Sequence, residues 1–522
     1  MFGGSLAWVK NMKVHADTRP FWIDSTPLPR YPQLERDESV DVLVIGAGIT
    51  GLTAAYLLTL AGRRVAVIER ERCAQIDTGH TSAHLTMVTD VKMTELVKNF
   101  GREHAQAAWD AGLAAIFQID SIVRDEQIAC DFAWVPGYLH SPIGPPSRSR
   151  PHDESSMFRR EAAAAADLGF DAEFIDDVPF VGGPGVMYAD QARVHPRKYL
   201  AGVAHAIVDR GGTIFEHTSA AEFSDEPRSV EANGRTIRCS DIVLATHTPL
   251  VGNAGLLGAT LFQTKLALYT SYVVAGRVKH GRVPDALFWD TADPYHYLRL
   301  EPGRDEDVVI FGGQDHKTGQ SGDTNSCFER LERTLEMMVR GVGITHRWSG
   351  QVVETPDGLP YIGDTADHQF AGTGYSGNGM TFGTLAGMMA ADRVLGRRNP
   401  WSDLFEPSRT KILGALWDYI RENKDYPYYL VRDRFAGAEG RSLRAVRRGS
   451  GKVLHLNGEK LAVYRDPSGT VTRVSATCTH MGCIVDWNEA ERTWDCPCHG
   501  SRFRPNGTVI AGPAESPLSE AS

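Results

Sequence analysis

The last fifth of the chain contains two short Cys/His motifs that restrict what this region can bind. One residue separates Cys478 from His480, and two residues separate Cys496 from His499. Two thiolates and two imidazoles match the ligand count of a [2Fe–2S] centre in which two His replace two Cys on one iron. A structural zinc site has the same ligand count, but it usually pairs Cys with Cys and His with His. The mixed pairs favour the iron–sulfur centre, with zinc as the alternative.

These motifs resemble those of the high-potential Rieske proteins of respiratory and photosynthetic complexes. In that arrangement Cys478 and Cys496 hold one iron, and His480 and His499 hold the other. A centre of this kind transfers single electrons. The resemblance therefore predicts that the C-terminal part of the chain is a small all-β Rieske domain.

Four further residues next to the ligands extend the resemblance. Cys483 and Cys498 match the cysteines that form a disulfide between the cluster loops in the high-potential proteins. Ser501 keeps a hydroxyl that donates to a bridging sulfide in the family, whereas Phe503 stands where the family has Tyr. Hydrogen bonds to cluster sulfur stabilise the reduced state, so we expect a potential between the low and high extremes of Rieske centres.

Near the other end of the chain, an apolar run leads into a glycine-rich turn. The run 41–45 has a buried-strand pattern, and Gly46, Gly48 and Gly51 follow it before an apolar helix pattern. In a Rossmann fold such glycines allow the tight turn, the approach of a pyrophosphate and close helix packing. The next strand pattern ends at Glu69, an acid suited to ribose hydroxyls and unsuited to the 2′-phosphate of NADP.

A second glycine-rich segment favours FAD over NAD. It contains Gly363 and Gly377 and precedes an Ala- and Gly-rich helix pattern. It resembles the closing FAD box of the D-amino-acid-oxidase-like (DAO) flavoproteins, which oxidise amines and amino acids. The resemblance spans about 39–400 and implies that the Gly363 region contacts the flavin. It also implies that the following helix points its N-terminus at the flavin ring.

The whole chain resembles the bacterial FAD-dependent oxidoreductases that carry a C-terminal Rieske domain. The predicted fold is an α/β Rossmann-type FAD-binding domain with an interleaved α+β substrate domain, followed by the all-β Rieske domain, because 522 residues are too many for one core. We expect FAD-binding parts at about 39–95, 190–260 and 345–400, a substrate domain at about 96–190 and 261–344, a helical linker at 401–452 with a helix at about 410–421, and the cluster domain at 453–522.

Candidate substrate contacts come from one strand pattern. Tyr297 and Arg299 would lie on one face of it and resemble the Tyr and Arg that DAO-family enzymes offer to a substrate carboxylate. A surface arginine beside core tyrosines is the alternative. The segment 314–317 is a further candidate for the same cavity, or a solvated loop. His80 and His84 lie near the position where some relatives attach FAD covalently.

Composition excludes several classes of protein. The net charge is −10, with 23% charged and 42% hydrophobic residues, so no basic excess points to nucleic acid. No apolar run approaches the roughly 20 residues of a membrane span. The segment Met1 to Trp22 has no apolar core of the signal-peptide type, and we therefore expect a cytoplasmic protein.

The two cofactors together predict a function. We expect FAD to take a hydride from a small amine or amino-acid-like substrate, and the [2Fe–2S] cluster to pass the electrons singly to an external acceptor. The alternative is an NAD(P)H-fed flavin and iron–sulfur reductase, or a redox carrier, that serves a partner enzyme. That alternative normally needs a second dinucleotide motif, and the sequence has no second one.

Overall fold

A computed structural model describes residues 19–143, 154–248, 266–409, 442–456 and 458–521. The helix predicted at about 410–421 lies outside these residues. Within them, the helices are α1 Phe21–Ser25, α2 Ile49–Leu60, α3 Met93–Phe100, α4 Arg102–Asp125, α5 Glu154–Asp167, α6 Pro196–Asp209, α7 Asn325–Met338, α8 Gly379–Val394 and α9 Ser402–Phe405.

The strands of the described residues form five sheets. In chain order they are β1 Glu38–Ser39, β2 Val42–Ile45, β3 Val65–Ile68, β4 His84–Leu85, β5 Ala133–His140, β6 Ala172–Ile175, β7 Gly185–Arg193, β8 Thr213–Phe215, β9 Ala220–Asp225, β10 Arg228–Ala232, β11 Arg235–Arg238, β12 Asp241–Leu244, β13 Ala267–Val278, β14 Leu287–Asp290, β15 Tyr297–Glu301, β16 Asp307–Lys317, β17 Gly343–Glu354, β18 Tyr361–Ala366, β19 Gln369–Thr373, β20 Ser450–Leu456, β21 Glu459–Arg465, β22 Val471–Ser475, β23 Asp486–Asn488, β24 Thr493–Asp495, β25 Arg502–Phe503 and β26 Val509–Ala511.

A six-stranded sheet in the order β18-β19-β12-β2-β3-β8 forms the Rossmann-type domain. All its strands are parallel except β18, which runs antiparallel to β19. Every residue of β2 is buried, because Val42 and Val44 face the helix side while Leu43 and Ile45 face the small sheet β1-β11-β10-β9. A continuous apolar run is typical of such a strand, which is covered on both faces.

A nine-stranded sheet forms the substrate domain. Eight of its strands follow the order β17-β13-β16-β15-β14-β5-β7-β4, and β6 pairs with β7 outside this order. The strand β17 pairs with β13 along most of its length. The predicted domain boundary near 345 therefore falls inside a strand of this sheet, and the Rossmann sheet resumes only at β18. The predicted loop at 314–317 is likewise the end of β16.

The C-terminal part contains a three-stranded sheet, β20-β21-β22, and a four-stranded sheet, β23-β24-β25-β26. Trp494 and Phe503 are fully buried in their shared core with Cys478 and Cys496. The first strand begins at Ser450, slightly before the predicted start at 453. None of the helices in the described part of the chain is long and apolar enough to cross a membrane.

Candidate flavin cavity and cluster site

The glycine turn after β2 is built from very close backbone approaches. Gly46 has a φ of +106°, and a Cβ there would lie 2.4 Å from the carbonyl oxygen of Ala245. A Cβ on Gly51 would lie 1.9 Å from the carbonyl oxygen of Gly46. Both positions therefore require glycine, and they hold the N-terminus of α2 against the ends of the parallel strands, where this fold binds phosphates.

Glu69 ends β3 beside this turn. Its carboxylate accepts hydrogen bonds from the backbone N–H groups of Ala47, at 2.9 Å, and Glu71, at 2.8 Å. Burial raises the pKa of Glu69, and these two hydrogen bonds act in the opposite direction. The acid is thereby fixed in place at the cavity wall, as a group that binds ribose hydroxyls needs to be.

A single long cavity connects the glycine turn to the nine-stranded sheet. Gly46, Gly48 and Glu69 line one part of it, and Gly377 and Tyr297 line another. An elongated cavity that begins at a Rossmann glycine turn fits a dinucleotide such as FAD. The N-terminal residues of α8 also line this cavity, as expected for the helix of the closing FAD box.

Gly363 differs from its prediction. It lies in β18 opposite Ala371, and a Cβ at this position would meet the side chain of Pro407 at 2.6 Å. It is not among the residues that line the cavity. Gly377 does line it, and its backbone N–H donates to the carboxylate of Asp90 at 2.9 Å.

Tyr297 and Arg299 differ in their access to the cavity. Tyr297 lines the cavity, and its hydroxyl lies 2.8 Å from that of Ser271. Arg299 is fully buried behind it, forms an ion pair with Glu301 and donates to the carbonyl of Ala83 at 2.7 Å. The expected contact of Arg299 with a substrate carboxylate is therefore corrected, because its guanidinium is already satisfied inside the protein.

His80 and His84 both line the cavity. The Nδ1 atom of His80 lies 2.6 Å from the carbonyl oxygen of Ile76. Burial lowers the pKa of His84 to about 3, so its ring is neutral near neutral pH. Its Nε2 atom lies 3.3 Å from the carbonyl oxygen of Leu298.

Two acids, Asp90 and Asp315, line the cavity beside Tyr297, and only Asp90 had no sequence signal as a site residue. Burial raises the pKa of Asp315 to about 7, against a hydrogen bond from Ser271. The carboxylate of Asp90 accepts hydrogen bonds from the Gly377 N–H, at 2.9 Å, and from Tyr295. Of the predicted candidate segment 314–317, Asp315 is the residue that lines the cavity.

In the C-terminal domain the four predicted cluster ligands form two close pairs, one of cysteines and one of histidines. The thiols of Cys478 and Cys496 lie within hydrogen-bonding distance of each other. The rings of His480 and His499 are 5.0 Å apart between centroids and perpendicular. Burial lowers the pKa of each imidazole to about 4, which leaves both in the neutral form that binds metals. This donor set fits a [2Fe–2S] centre with two Cys and two His ligands.

The disulfide between Cys483 and Cys498 is confirmed. The sulfur atoms of these two residues and of Cys496 lie within 4.8 Å of one another, but disulfide sulfurs are not thiolate ligands, so these three residues do not form a metal site by themselves. Ser501 is fully buried and hydrogen-bonds to Cys478, while its hydroxyl also accepts from the Ala514 N–H at 3.1 Å.

The cluster loop packs directly against the flavin cavity wall. Gln351, in β17, lines the cavity, and its side-chain Nε2 donates to the carbonyl of Gly500 at 2.7 Å. The Gly500 N–H donates in turn to the carbonyl of the predicted ligand Cys496 at 2.9 Å. A Cβ on Gly500 would lie 2.6 Å from the Cβ of Leu268, so this approach requires glycine.

Two contacts of charged side chains join the C-terminal domain to the Rossmann-type domain as well. Arg504 forms an ion pair with Glu71 at 2.8 Å, and Arg70 donates to the carbonyl of Ile510 at 2.7 Å. The residues from Ile510 to Gly512 line the cavity themselves. The C-terminal domain is thus part of the cavity wall.

A dinucleotide cavity closed by an all-β domain with two thiols and two imidazoles defines a flavin-dependent oxidoreductase with a Rieske domain. The family model for FAD dependent oxidoreductases (DAO) matches residues 41–393, and the model for the Rieske [2Fe-2S] domain matches residues 441–521. The chain belongs to the DAO family of FAD-dependent oxidoreductases and carries a C-terminal Rieske domain. Its predicted fold class and cofactors, FAD and a [2Fe–2S] cluster, are confirmed, and the zinc alternative is set aside.

Similar proteins share either the whole arrangement or the flavin part. The chain is 33% identical to YhfW of Bacillus subtilis (strain 168), which is named as a Rieske 2Fe-2S iron-sulfur protein. The alignment of 507 residues covers 96% of this chain and 97% of YhfW. Glycine oxidase from Geobacillus kaustophilus superposes with a TM-score of 0.60 at 14% identity, over 72% of this chain and 99% of that one. L-proline dehydrogenase from P. horikoshii superposes with a TM-score of 0.58 at 17% identity, over 72% and 98% of the two chains.

Proposed function

We propose that the protein oxidises a small amine or amino-acid-like substrate in the flavin cavity and delivers the electrons one at a time to an external acceptor through its Rieske domain. When bound, FAD takes up a pair of electrons as hydride, and the [2Fe–2S] cluster exchanges single electrons. The glycine oxidase and the L-proline dehydrogenase with the same fold support the amine class of substrate.

The residues assigned to these roles follow the sequence motifs. Gly46, Gly48, Gly51 and Glu69 would hold the dinucleotide part of FAD, with Gly377 at the other part of the cavity. The proposed cluster ligands are Cys478, His480, Cys496 and His499.

The main support for this proposal is that the flavin cavity and the cluster loop share a wall. Gln351 contacts the flavin cavity with one part of its surface and the cluster loop at Gly500 with its amide. A two-electron site and a one-electron site that share a wall are well arranged for internal electron transfer. A flavin enzyme that passed its electrons straight to oxygen would not need the second site against this wall.

Tyr297 and Tyr295 supply aromatic surface at the substrate end of the cavity, with ring centroids 5.9 Å apart. Trp289 lines the same region and packs on Tyr188. Aromatic walls exclude water from the reacting C–H bond and orient a small substrate.

The test is a substrate screen under argon. The purified holoprotein is mixed with secondary amines, N-methyl amines and amino acids, and separately with NADH, while the visible flavin band is followed. We expect at least one amine or amino acid to bleach the band faster than NADH. Bleaching by NADH alone would favour the reductase alternative and would contradict the proposal.

A further inference from the structure

The substrate end of the flavin cavity is acidic. Asp90, Ser271, Tyr295, Tyr297 and Asp315 line it and are connected to one another by hydrogen bonds and ring contacts. We refer to these five residues as the acidic end.

Cationic side chains lie elsewhere. Among the described residues that line the cavity, the Lys and Arg residues are Arg70 and Arg72. Arg70 donates to the carbonyl of Ile510, and Arg72 forms an ion pair with Glu216 at 3.2 Å. Both are thus engaged near Glu69, in the Rossmann part of the cavity. The described lining of the acidic end therefore offers no guanidinium or ammonium group to a substrate carboxylate.

A β-bulge directs Asp315 into the cavity. The register between β13 and β16 shifts between Thr270 and Tyr272, and Gln314 has a φ of +60° in the opposite strand. Bulges redirect the side chains beside them and are frequent next to active sites. Gln314 points away toward His296 and Arg330, while Asp315 faces the cavity. The bulge therefore lies where it directs the carboxylate of Asp315 into the cavity.

The carboxylate of Asp315 is incompletely satisfied. Its Oδ1 atom is buried and receives no hydrogen bond from any residue that the structure describes. A buried anionic oxygen without a partner is costly, and a cation or an N–H donor relieves that cost. The negative charge of Asp90 destabilises the ionised form of Asp315 further, and a positively charged partner would offset this repulsion.

We propose that the acidic end binds the positive charge of an amine and that the preferred substrates are amines without a carboxylate group, held through Asp315 and Asp90. This inference rests on the proposed function and narrows its substrate class. The ion pair of Arg299 with Glu301 supports the inference, because this guanidinium was the group expected to bind a substrate carboxylate. The neutral ring of His84 adds no positive charge at this end.

Binding of two simple ions separates this inference from the proposed function. The holoprotein is titrated with tetramethylammonium chloride and, separately, with sodium acetate at constant ionic strength, and the perturbation of the flavin absorption is measured. Tetramethylammonium carries a permanent charge and has no nitrogen lone pair from which an iminium ion can form, so it reports binding without turnover. We expect a saturable perturbation with tetramethylammonium and none with acetate.

A matched pair of variants tests the assigned residue. Asp315→Asn should weaken tetramethylammonium binding at least tenfold while it keeps the bound FAD. Asp305→Asn, on an exposed turn before β16, should leave the affinity unchanged. Perturbation by acetate instead of tetramethylammonium, by neither ion, or with equal affinity in Asp315→Asn would overturn the inference.

These outcomes differ from failure of the proposed function. If tetramethylammonium binds but no amine bleaches the flavin, the cation site stands and the oxidation of amines is wrong. If amino acids bleach the flavin and acetate perturbs its spectrum, the oxidation stands and the cationic substrate class is wrong.

Discussion

Gln351 and Gly500 join the flavin cavity to the cluster loop through one hydrogen bond of 2.7 Å. The two residues are separated by 149 positions in the chain, and Gln351 also lies 3.3 Å from the hydroxyl of Thr318. The side chain is 6% exposed, so the bond is protected from water. It thereby fixes the position of the Cys496 loop relative to the cavity.

Gln351→Leu should slow electron transfer from flavin to cluster and leave flavin reduction by substrate within about twofold of wild type. The variant keeps the size of the side chain and removes its donor. A hydrogen bond of about 1 kcal/mol corresponds to a shift of about fivefold in the docked population. Gln33→Leu, at an exposed position, is the control. Stopped-flow traces of both chromophores measure the two steps, and an unchanged second step would show that this bond does not position the loop.

Gly51→Ala should abolish or strongly reduce FAD binding. Its new Cβ would lie 1.9 Å from the carbonyl oxygen of Gly46 and force the turn open. Overpacking of this kind costs about 1–3 kcal/mol in a well-packed region. In Gly343→Ala the added Cβ meets no atom within 4 Å, so this variant should retain full flavin content. The ratio of flavin to protein absorbance compares the two, and equal ratios would contradict the assigned turn.

Phe503→Tyr should raise the midpoint potential of the cluster. Phe503 is fully buried beside Cys478 and Cys496, and the family's phenol would add a hydrogen bond that stabilises the reduced cluster. A hydrogen bond of about 1 kcal/mol corresponds to about 40 mV for a one-electron couple. Phe117→Tyr, on the exposed face of α4, should leave the potential unchanged. A spectroscopic redox titration measures the potential of both variants. An unchanged or lower potential in Phe503→Tyr would show that a phenol at this position does not stabilise the reduced cluster.

Affinity for tetramethylammonium should rise with pH through about 7 and level off above it. Burial raises the pKa of Asp315 to about 7, so the carboxylate that attracts a cation forms as the pH passes this value. Asp90 faces it from the loop after β4 and changes charge in the same direction, while burial keeps Tyr295 and Tyr297 neutral. The charge of His296, which is paired with Asp290, also acts on Asp315.

Titrations at a series of pH values follow this affinity through the flavin spectrum. The quaternary probe does not titrate, so the pH dependence belongs to the protein. In Asp315→Asn the rise should be much smaller. An affinity that falls with pH, or an equal rise in the variant, would assign the effect to another group.

The sequence predicted the parts of the site that a few neighbouring residues determine. The close approach of Gly51 to Gly46 lies within one motif, and the Cys496 to His499 spacing places two candidate ligands on one loop. The strand pattern that contains Tyr297 and Arg299 likewise located one strand of the large sheet, β15.

The remaining features depend on contacts that motifs do not contain. Arg299 is turned inward by Glu301, two residues along the same strand, and that acid was the available signal. Asp315 faces the cavity at a bulge in its own strand, and Gly363 packs on Pro407 after the chain returns. Gln351 acquires its role from a domain that begins far along the chain.

We propose that electrons taken from a substrate in the flavin cavity reach the Rieske cluster within the same chain. The most direct measurement mixes the holoprotein under argon with an amine that bleaches its flavin and freezes samples at successive times for EPR. We expect the signal of the reduced [2Fe–2S] cluster to grow as the flavin band recovers from bleaching, at a rate independent of protein concentration. A bleached flavin beside a cluster that stays oxidised would contradict it.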